Sequence, residues 1–293
     1  MDILFTFSDL QHFVAIKLLF FVFILLALLG IYRKWGNVYL VWIGAICSAT
    51  AYFLLVNNLE LPFWGLKADE ITIAAMYERF AHGSMWSDFN YGYLPPFYPS
   101  LFFQTAAMVG KLFDWNGVQI AKAAVIGTLS IFPIILFYVQ KFIWRKKQDQ
   151  YAPHSLAWLL GTAFVFILAG WDAVITKPYE LVSATGIVLW ATFLMIDLHE
   201  KKLDAKKIIV YGILGGLLFW MFYFWFFLAA IGIALFNLFS KEGVRLKQYG
   251  QLILIAVITL LVSSPFWFPL ARADAANGAE NWQLGFFTIE WIA

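Results

Sequence analysis

From Ile208 to Ser240 no residue carries a charge, and lysines close the run on both sides, Lys206 and Lys207 before it and Lys241 after it. A helix needs about 20 apolar residues to cross the hydrocarbon core of a bilayer. This run is therefore too long for one spanning helix of ordinary tilt. Basic residues at span ends mark the cytoplasmic side, and here both ends are basic. The pattern predicts two short helices, 206–221 and 222–239, forming a tight hairpin. Gly215-Gly216 suits close packing within it, and "FWMFYFWFF" (Phe219 to Phe227) suits a turn near the outer interface, where aromatic rings gather.

The rest of the chain agrees with a bilayer as solvent. Hydrophobic residues make up 62% and charged residues 13%, against about 25% charged in an ordinary soluble domain. Further spans are predicted over 13–32, 37–57, 119–143, 156–172, 180–198 and 250–268. The expected fold is an all-α, polytopic bundle of about eight spans, one transmembrane domain over 1–293. Four basic clusters fix its orientation: Arg33-Lys34, Arg145-Lys146-Lys147, Lys201 to Lys207, and Lys241 with Arg245 and Lys247. With all four in the cytoplasm, the N-terminus and the long connection 58–118 face outward from the plasma membrane. "FYPSLFFQTAAMVGKLF" (Phe97 to Phe113) is short, contains Gln104 and Lys111, and follows Pro95-Pro96, so an interfacial or re-entrant helix is expected there.

Several functions drop out. A net charge of +2 gives no footprint for nucleic acid. The single cysteine, Cys47, forms no intramolecular disulfide and reads as a small packed hydrophobe. His12 and His82 lack partners at zinc-ligand spacing. No phosphate-cradling glycine motif occurs. The opening "MDILFTFSDLQHF" has acids and no basic n-region, unlike a cleaved signal peptide.

With that orientation the outward face holds most of the acids. In the first outer loop, Ile73, Met76, Tyr77 and Phe80 follow helical spacing, which predicts a short amphipathic helix over 70–81 resting on the membrane surface. Asp69 and Glu70 stand at its start. Two roles fit them. Asp69 is placed to cap the helix with Glu70 in the first turn. Equally, a carboxylate held there could act as general base toward a sugar hydroxyl, or help hold a divalent cation. Downstream, "MWSDFNYGYLPPFYPSLFF" mixes Trp86, Tyr91, Tyr93 and Tyr98 with Asp88 and Asn90. Flat apolar faces beside polar tips suit a sugar ring, and an interfacial aromatic belt fits the same residues.

The second outer loop, "GWDAVITKPYELV", brings Asp172, Lys177 and Glu180 to a membrane boundary. Lys177 could pair with a phosphodiester as a point charge or simply snorkel. Arg272, in "PLARADAANGAENWQ", is the other phosphate candidate, its planar fork suiting that group better. Lys122 reads as an interface anchor.

The order of acidic pair, amphipathic helix, "YLPPFYP" segment and second apolar helix in one outer loop resembles the GT-C superfamily of membrane glycosyltransferases. These use polyprenyl-phosphate sugars as donors on the outer side. Within it, "ADEITIAAMYERFAHGSMWSDFNYGYLPPFYPSLFF" and "TKPYEL" are similar to the N-terminal membrane domain of actinobacterial galactan arabinofuranosyltransferases, which prime arabinan on cell-wall galactan. The resemblance implies transfer of a sugar, arabinofuranose among the choices, from a polyprenyl-phosphate donor to a cell-envelope glycan. It implies Asp69 as catalytic base, beside Glu70, and Asp172 at the place of a second outer acid. Such enzymes continue past the point where this sequence reads "FFTIEWIA", so a piece of a longer chain, lacking a C-terminal outer domain, is expected. The principal rival is a transporter or flippase for a lipid-linked sugar, which would carry its polar residues near the bilayer midplane.

Overall fold

The computed structural model describes residues 7–60, 69–145, 163, 165–166, 174–239 and 246–277. Among these it contains eight helices and no strand: α1 (Phe7–Tyr32), α2 (Gly36–Val56), α3 (Asp69–His82), α4 (Leu101–Leu112), α5 (Gly117–Arg145), α6 (Pro178–His199), α7 (Ala205–Phe239) and α8 (Leu246–Asn277). All but α3 and α4 are long and apolar enough to cross a membrane, six helices in all. The chain is thus a multi-pass, membrane-embedded helical protein. The expected span 156–172 falls almost entirely outside the described residues. At 12 residues, α4 reaches only about 18 Å and is too short to cross.

The chain divides into two compact units, one of Met1–Met85 with Phe102–Leu189 and one of Trp86–Leu101 with Trp190–Ala293. In the first, Gly30 lies against Tyr39 and Gly44 against Phe23, so α1 and α2 form an antiparallel pair. Leu18, Phe21, Leu25 and Leu28 on α1 remain exposed, as lipid-facing side chains do. Antiparallel packing of α2 on α5 places Val41 with Phe137 at one end. At the other end Tyr52 and Val56 meet Val125 and Leu129, closed over by Val174, Ile175 and Leu181.

The predicted helix over 70–81 is present as α3, but its apolar face does not rest on lipid. Met76, Tyr77, Phe80 and Ala81 are buried by protein. Gly117, at the start of α5, approaches so closely that a Cβ there would stand 2.2 Å from Ala74 O. Helical periodicity reports that an apolar partner exists, not whether it is lipid or another helix. The first turn of α5 is a capping box: Asn116 Oδ1 accepts from Gln119 N and Gln119 Oε1 accepts from Asn116 N, each at 2.9 Å. Glu78 Oε2 accepts from another donor of this first turn, Gly117 N–H, at 2.6 Å. Lys122 Nζ donates to Leu59 O, tying α5 to the end of α2.

The second unit is built around α7. Unbroken, its 35 residues would extend about 52 Å. The helix breaks at Phe222, whose φ of −166° and ψ of 92° are non-helical. Register shows what the break does. Gly212 faces Ile258 and Ile255, Gly215 faces Thr259, and Gly216 faces Val262. Contact partners rise together, so the first half of α7 and α8 run parallel. Two parallel helices in succession need a return segment, and 222–239 supplies it. Phe226 comes back against Gly215 and Phe219, while Ile233 shares one core with Ile208, Tyr211 and Trp190. The hairpin expected from the lysines at both ends is there. Glycine at 212, 215 and 216 permits the close parallel contact, since a Cβ at 216 would lie 2.6 Å from Val262 Cβ.

Prolines inside α8 are accommodated locally. Pro265 cannot donate to Leu261 O, and Ser264 Oγ donates to that carbonyl instead at 2.7 Å. As a result α8 continues to Asn277, beyond the predicted span end at 268. Arg272, expected in a loop, is on this helix.

Candidate functional site

The two ends of the second unit differ in chemistry. One end gathers the α6–α7 connection and the start of α8: Gln248 Nε2 donates to Leu198 O at 2.9 Å and Gln251 Nε2 to Leu203 O at 2.8 Å. Lys201, in the left-handed region at φ 56°, closes α6, with Lys202 N donating to Asp197 O at 2.9 Å. Asp197 is buried. Its Oδ1 takes Lys207 Nζ at 2.7 Å and its Oδ2 takes the Tyr211 hydroxyl at 2.7 Å. Lys202 Nζ donates to Glu200 at 2.6 Å, and that bond holds its ammonium pKa above the ordinary value. This end is basic.

The opposite end is aromatic. The tip of the α7 hairpin meets the segment 86–101. Trp86 stacks on Trp220 with ring centroids 6.0 Å apart, Trp220 Nε1 donates to Ser100 Oγ at 3.1 Å, and Tyr98 lies 6.2 Å from Phe222. Phe266 of α8 packs on Tyr223 at this level. Arg272 is six residues further along the same helix, so it extends about 9 Å beyond that level. It is exposed and has no ion pair among the described residues.

Asp88 organises the segment. Its N–H donates to Leu94 O at 2.7 Å, and its Oδ1 accepts from Asn90 N at 2.9 Å and Tyr91 N at 3.0 Å. An Asp side chain that bonds the backbone two residues on builds this kind of turn. The turn carries Tyr91 and Tyr93 outward, Tyr93 being 82% exposed. Asp88 itself is 2% exposed. Its second oxygen, Oδ2, is buried and accepts no hydrogen bond, and Trp225 Nε1 at the hairpin tip is likewise buried without an acceptor. Trp86, Asp88, Asn90, Tyr91, Tyr93 and Tyr98 therefore occupy one short segment against one hairpin tip. Trp220, Trp225 and Ser100 complete the arrangement and were not singled out by sequence. The run Phe219 to Phe227 signalled a turn, but not which rings would meet the loop.

The acidic and lysine candidates belong to the first unit. Asp69 and Glu70 open α3, so Asp69 is the first helical residue rather than the one before it; their side chains lie outside the described residues, as does Asp172. Lys177 and Glu180 flank the start of α6 and pair with each other at 3.6 Å, which leaves the lysine partly neutralised. Between them Tyr179 is buried and packs on Phe103 at 4.9 Å, and Phe103 packs on Tyr77 at 5.2 Å. This ring chain fastens the start of α6 to α3 and α4. Burial raises the Tyr77 phenol far above its ordinary pKa. Among the described residues no group of three or more His, Cys, Asp or Glu comes together as a metal site.

Comparison with family models, with curated proteins and with solved structures gives no match to this chain.

Proposed function

We propose that the protein is a GT-C-like membrane glycosyltransferase that moves a sugar from a polyprenyl-phosphate donor to a cell-envelope glycan on the outer side of the plasma membrane. Counting the halves of α7 separately and adding 156–172 gives eight spans, with 58–118 as the outer loop. The observation that carries the reading is the polarity of the second unit. Its hydroxyl- and ring-bearing segment, Trp86 to Tyr98, is gathered at the end away from Lys201, Lys202 and Lys207. Lysine-rich turns stay in the cytoplasm, so the aromatic end faces out.

In the reaction Asp69 removes the acceptor hydroxyl's proton as that oxygen attacks the anomeric carbon. The C–O bond to phosphate breaks, and polyprenyl phosphate leaves with the bonding pair. A cation stabilises the leaving phosphate. Arg272 is exposed and has no ion pair among the described residues, so no carboxylate competes there for the phosphate. Lys177 must first release Glu180. The donor's own phosphodiester supplies the activation, so no nucleotide is required on this side.

A transporter for a lipid-linked sugar is the alternative, and burial argues against it. Transport sites place ionisable groups near the bilayer midplane. Among the described residues the only buried charged side chains are Asp88 and Asp197, one in the connection before α4 and one in the last turn of α6. Purified protein incubated with a radiolabelled polyprenyl-phosphate sugar and an oligosaccharide acceptor separates the two. Transfer that disappears in Asp69→Ala supports the enzyme. Uptake into liposomes without transfer supports the rival.

A further inference from the structure

Two turns of the chain share one backbone geometry and treat charge in opposite ways. α1 closes with Lys34 in the left-handed region at φ 56°, Lys34 N donating to Ile31 O at 3.1 Å and Trp35 N to Gly30 O at 2.9 Å. α6 closes in the same motif, with Lys201 at φ 56°, Lys201 N donating to Leu198 O at 3.1 Å and Lys202 N to Asp197 O at 2.9 Å. After α6 the cations have acids of their own. Residues 197–207 hold three acids against four lysines, and Lys202 pairs with Glu200 at 2.6 Å and Lys207 with Asp197 at 2.7 Å. After α1 there are none. Arg33 and Lys34 are exposed and form no ion pair among the described residues, and no Asp or Glu occurs in 10–59 or in 117–145. α5 adds to the same end. Since α2 and α5 are antiparallel with Val41 beside Phe137, Lys141 and Arg145 follow one and two turns past that level on α5, while α2 leads back from Val41 to the Lys34 turn. Lys141 Nζ stands 6.0 Å from the centre of the Tyr138 ring and has no carboxylate partner among the described residues.

We propose that this end of the first unit is a binding surface for anionic phospholipid headgroups, carried by Arg33, Lys34 and Lys141. Like charges gathered without acids repel one another unless counter-charge comes from outside. The span of α1 ends at Tyr32, that of α2 begins at Gly36 and that of α5 ends at Phe142, so the cations stand where hydrocarbon gives way to headgroups. Exposed rings mark the same level, Tyr32, Trp35 and Tyr138, as in an interfacial belt. Basic turns stay on the cytoplasmic side, and the cytoplasmic leaflet is the anionic one. Arg33 suits a phosphodiester through its planar fork, and Lys34 and Lys141 act as point charges. A zwitterionic headgroup brings its own cation with the phosphate and offsets the charge less. The lysines paired after α6 are occupied within the protein, Lys207 and Tyr211 closing on Asp197, so lipid charge is felt at the α1–α2 turn and little at the α6–α7 turn. This surface is independent of the transfer chemistry, which uses none of its residues.

The test is native mass spectrometry of the whole purified protein in detergent, titrated with phosphatidylglycerol and with phosphatidylcholine of the same acyl chains. The first phosphatidylglycerol should bind about tenfold or more tightly than phosphatidylcholine, and Lys34→Gln should weaken it about fivefold. The triple variant Arg33→Gln, Lys34→Gln, Lys141→Gln should bind the two lipids alike, whereas Lys201→Gln combined with Lys206→Gln should keep the preference. Phosphatidylglycerol should also raise the melting temperature of the unaltered protein and not that of the triple variant. Equal binding of the two lipids by the unaltered protein overturns the proposal, as does a preference that survives the triple variant. A preference lost equally in the Lys201 and Lys206 variant means that net charge alone is felt, and overturns the assignment to the α1–α2 turn. Displacement of the lipid by an equal concentration of inorganic phosphate would make this a site for free anions and overturns the lipid surface. If the triple variant fails to fold, two single variants decide by the same titration: Arg33→Lys should keep the preference and Lys34→Gln should lose part of it, and equal affinities in both overturn the proposal.

Discussion

Tyr211 donates its phenolic hydrogen to Asp197 Oδ2 at 2.7 Å, joining the first half of α7 to the last turn of α6. Lys207 holds the other oxygen of that carboxylate, and Trp190 Nε1 donates to Tyr211 O at 2.9 Å. Asp197→Ala strands a lysine and a hydroxyl together and should cost about 1–3 kcal/mol. Replacing Asp197 and Lys207 together by leucine and methionine should recover part of the loss, since a buried ion pair is often matched by apolar packing. Unfolding in mixed micelles, arranged as a double-mutant cycle, measures both.

The glycines separate into two classes by what a methyl group would meet. Gly212→Ala and Gly216→Ala drive Cβ into Ile258 and Val262 and should each cost about 1–3 kcal/mol through overpacking. Gly127→Ala and Gly232→Ala meet open space on helices and should stabilise by about 0.5–1 kcal/mol through helix propensity. Opposite signs in the same unfolding assay are the expected result; equal effects would contradict the parallel packing of α7 on α8.

Glu78 links α3, the helix that begins with the acidic pair, to the N-terminus of α5. Glu78→Ala leaves the Gly117 N–H without its acceptor and should cost about 0.5–2 kcal/mol, as loss of a cap does. Glu78→Gln keeps an acceptor oxygen and should lose less. Because α3 carries Asp69, transfer activity should fall in Glu78→Ala and return largely in Glu78→Gln, measured against protein that remains folded.

Lys177 and Glu180 compete with any anion for one another. Both are partly exposed, so the pair is worth about 0.2–1 kcal/mol. If Lys177 meets the donor phosphate, Glu180→Gln should lower the donor KM by up to about fivefold, and Lys177→Met should raise it. A donor KM indifferent to both and sensitive to Arg272→Gln would assign the phosphate to Arg272 instead.

Tyr77 gives an alkaline signature. Burial raises its folded pKa above the unfolded value of about 10. The folded state therefore keeps a proton that the unfolded state loses. Stability is undiminished below about pH 10 and declines as pH rises beyond it. Tyr77→Phe should flatten that part of the decline, seen as a smaller drop in melting temperature between pH 9 and pH 11 (about one unit either side of the unfolded value).

Much of this architecture was readable before any coordinates. The break near Phe222 followed from length and from lysines at both ends, because neither a bilayer nor the charge rule tolerates a straight 206–239. The boundaries of α3 followed from four apolar residues at helical spacing. What escaped was partnership. Nothing in Met76, Tyr77 and Phe80 distinguishes lipid from α5, and the clue, Gly117, lies far along the chain. Likewise "SDFNYGY" announced a polar aromatic turn, but not that Asp88 would be buried with one oxygen bonded to the turn and the other without a partner. Asp197 carries no signal in the sequence, and only the fold brings Tyr211 and Lys207 onto its two oxygens.

The reversal at Phe222 also bears on biogenesis. A segment that leaves and re-enters the bilayer on one face contributes zero net translocation, so α8 is delivered to the insertion machinery with the same polarity as the first half of α7. Straightening the bend, for instance by turning the tip aromatics into alanines, would flip the parity of everything that follows and carry Arg272 to the opposite side of the membrane.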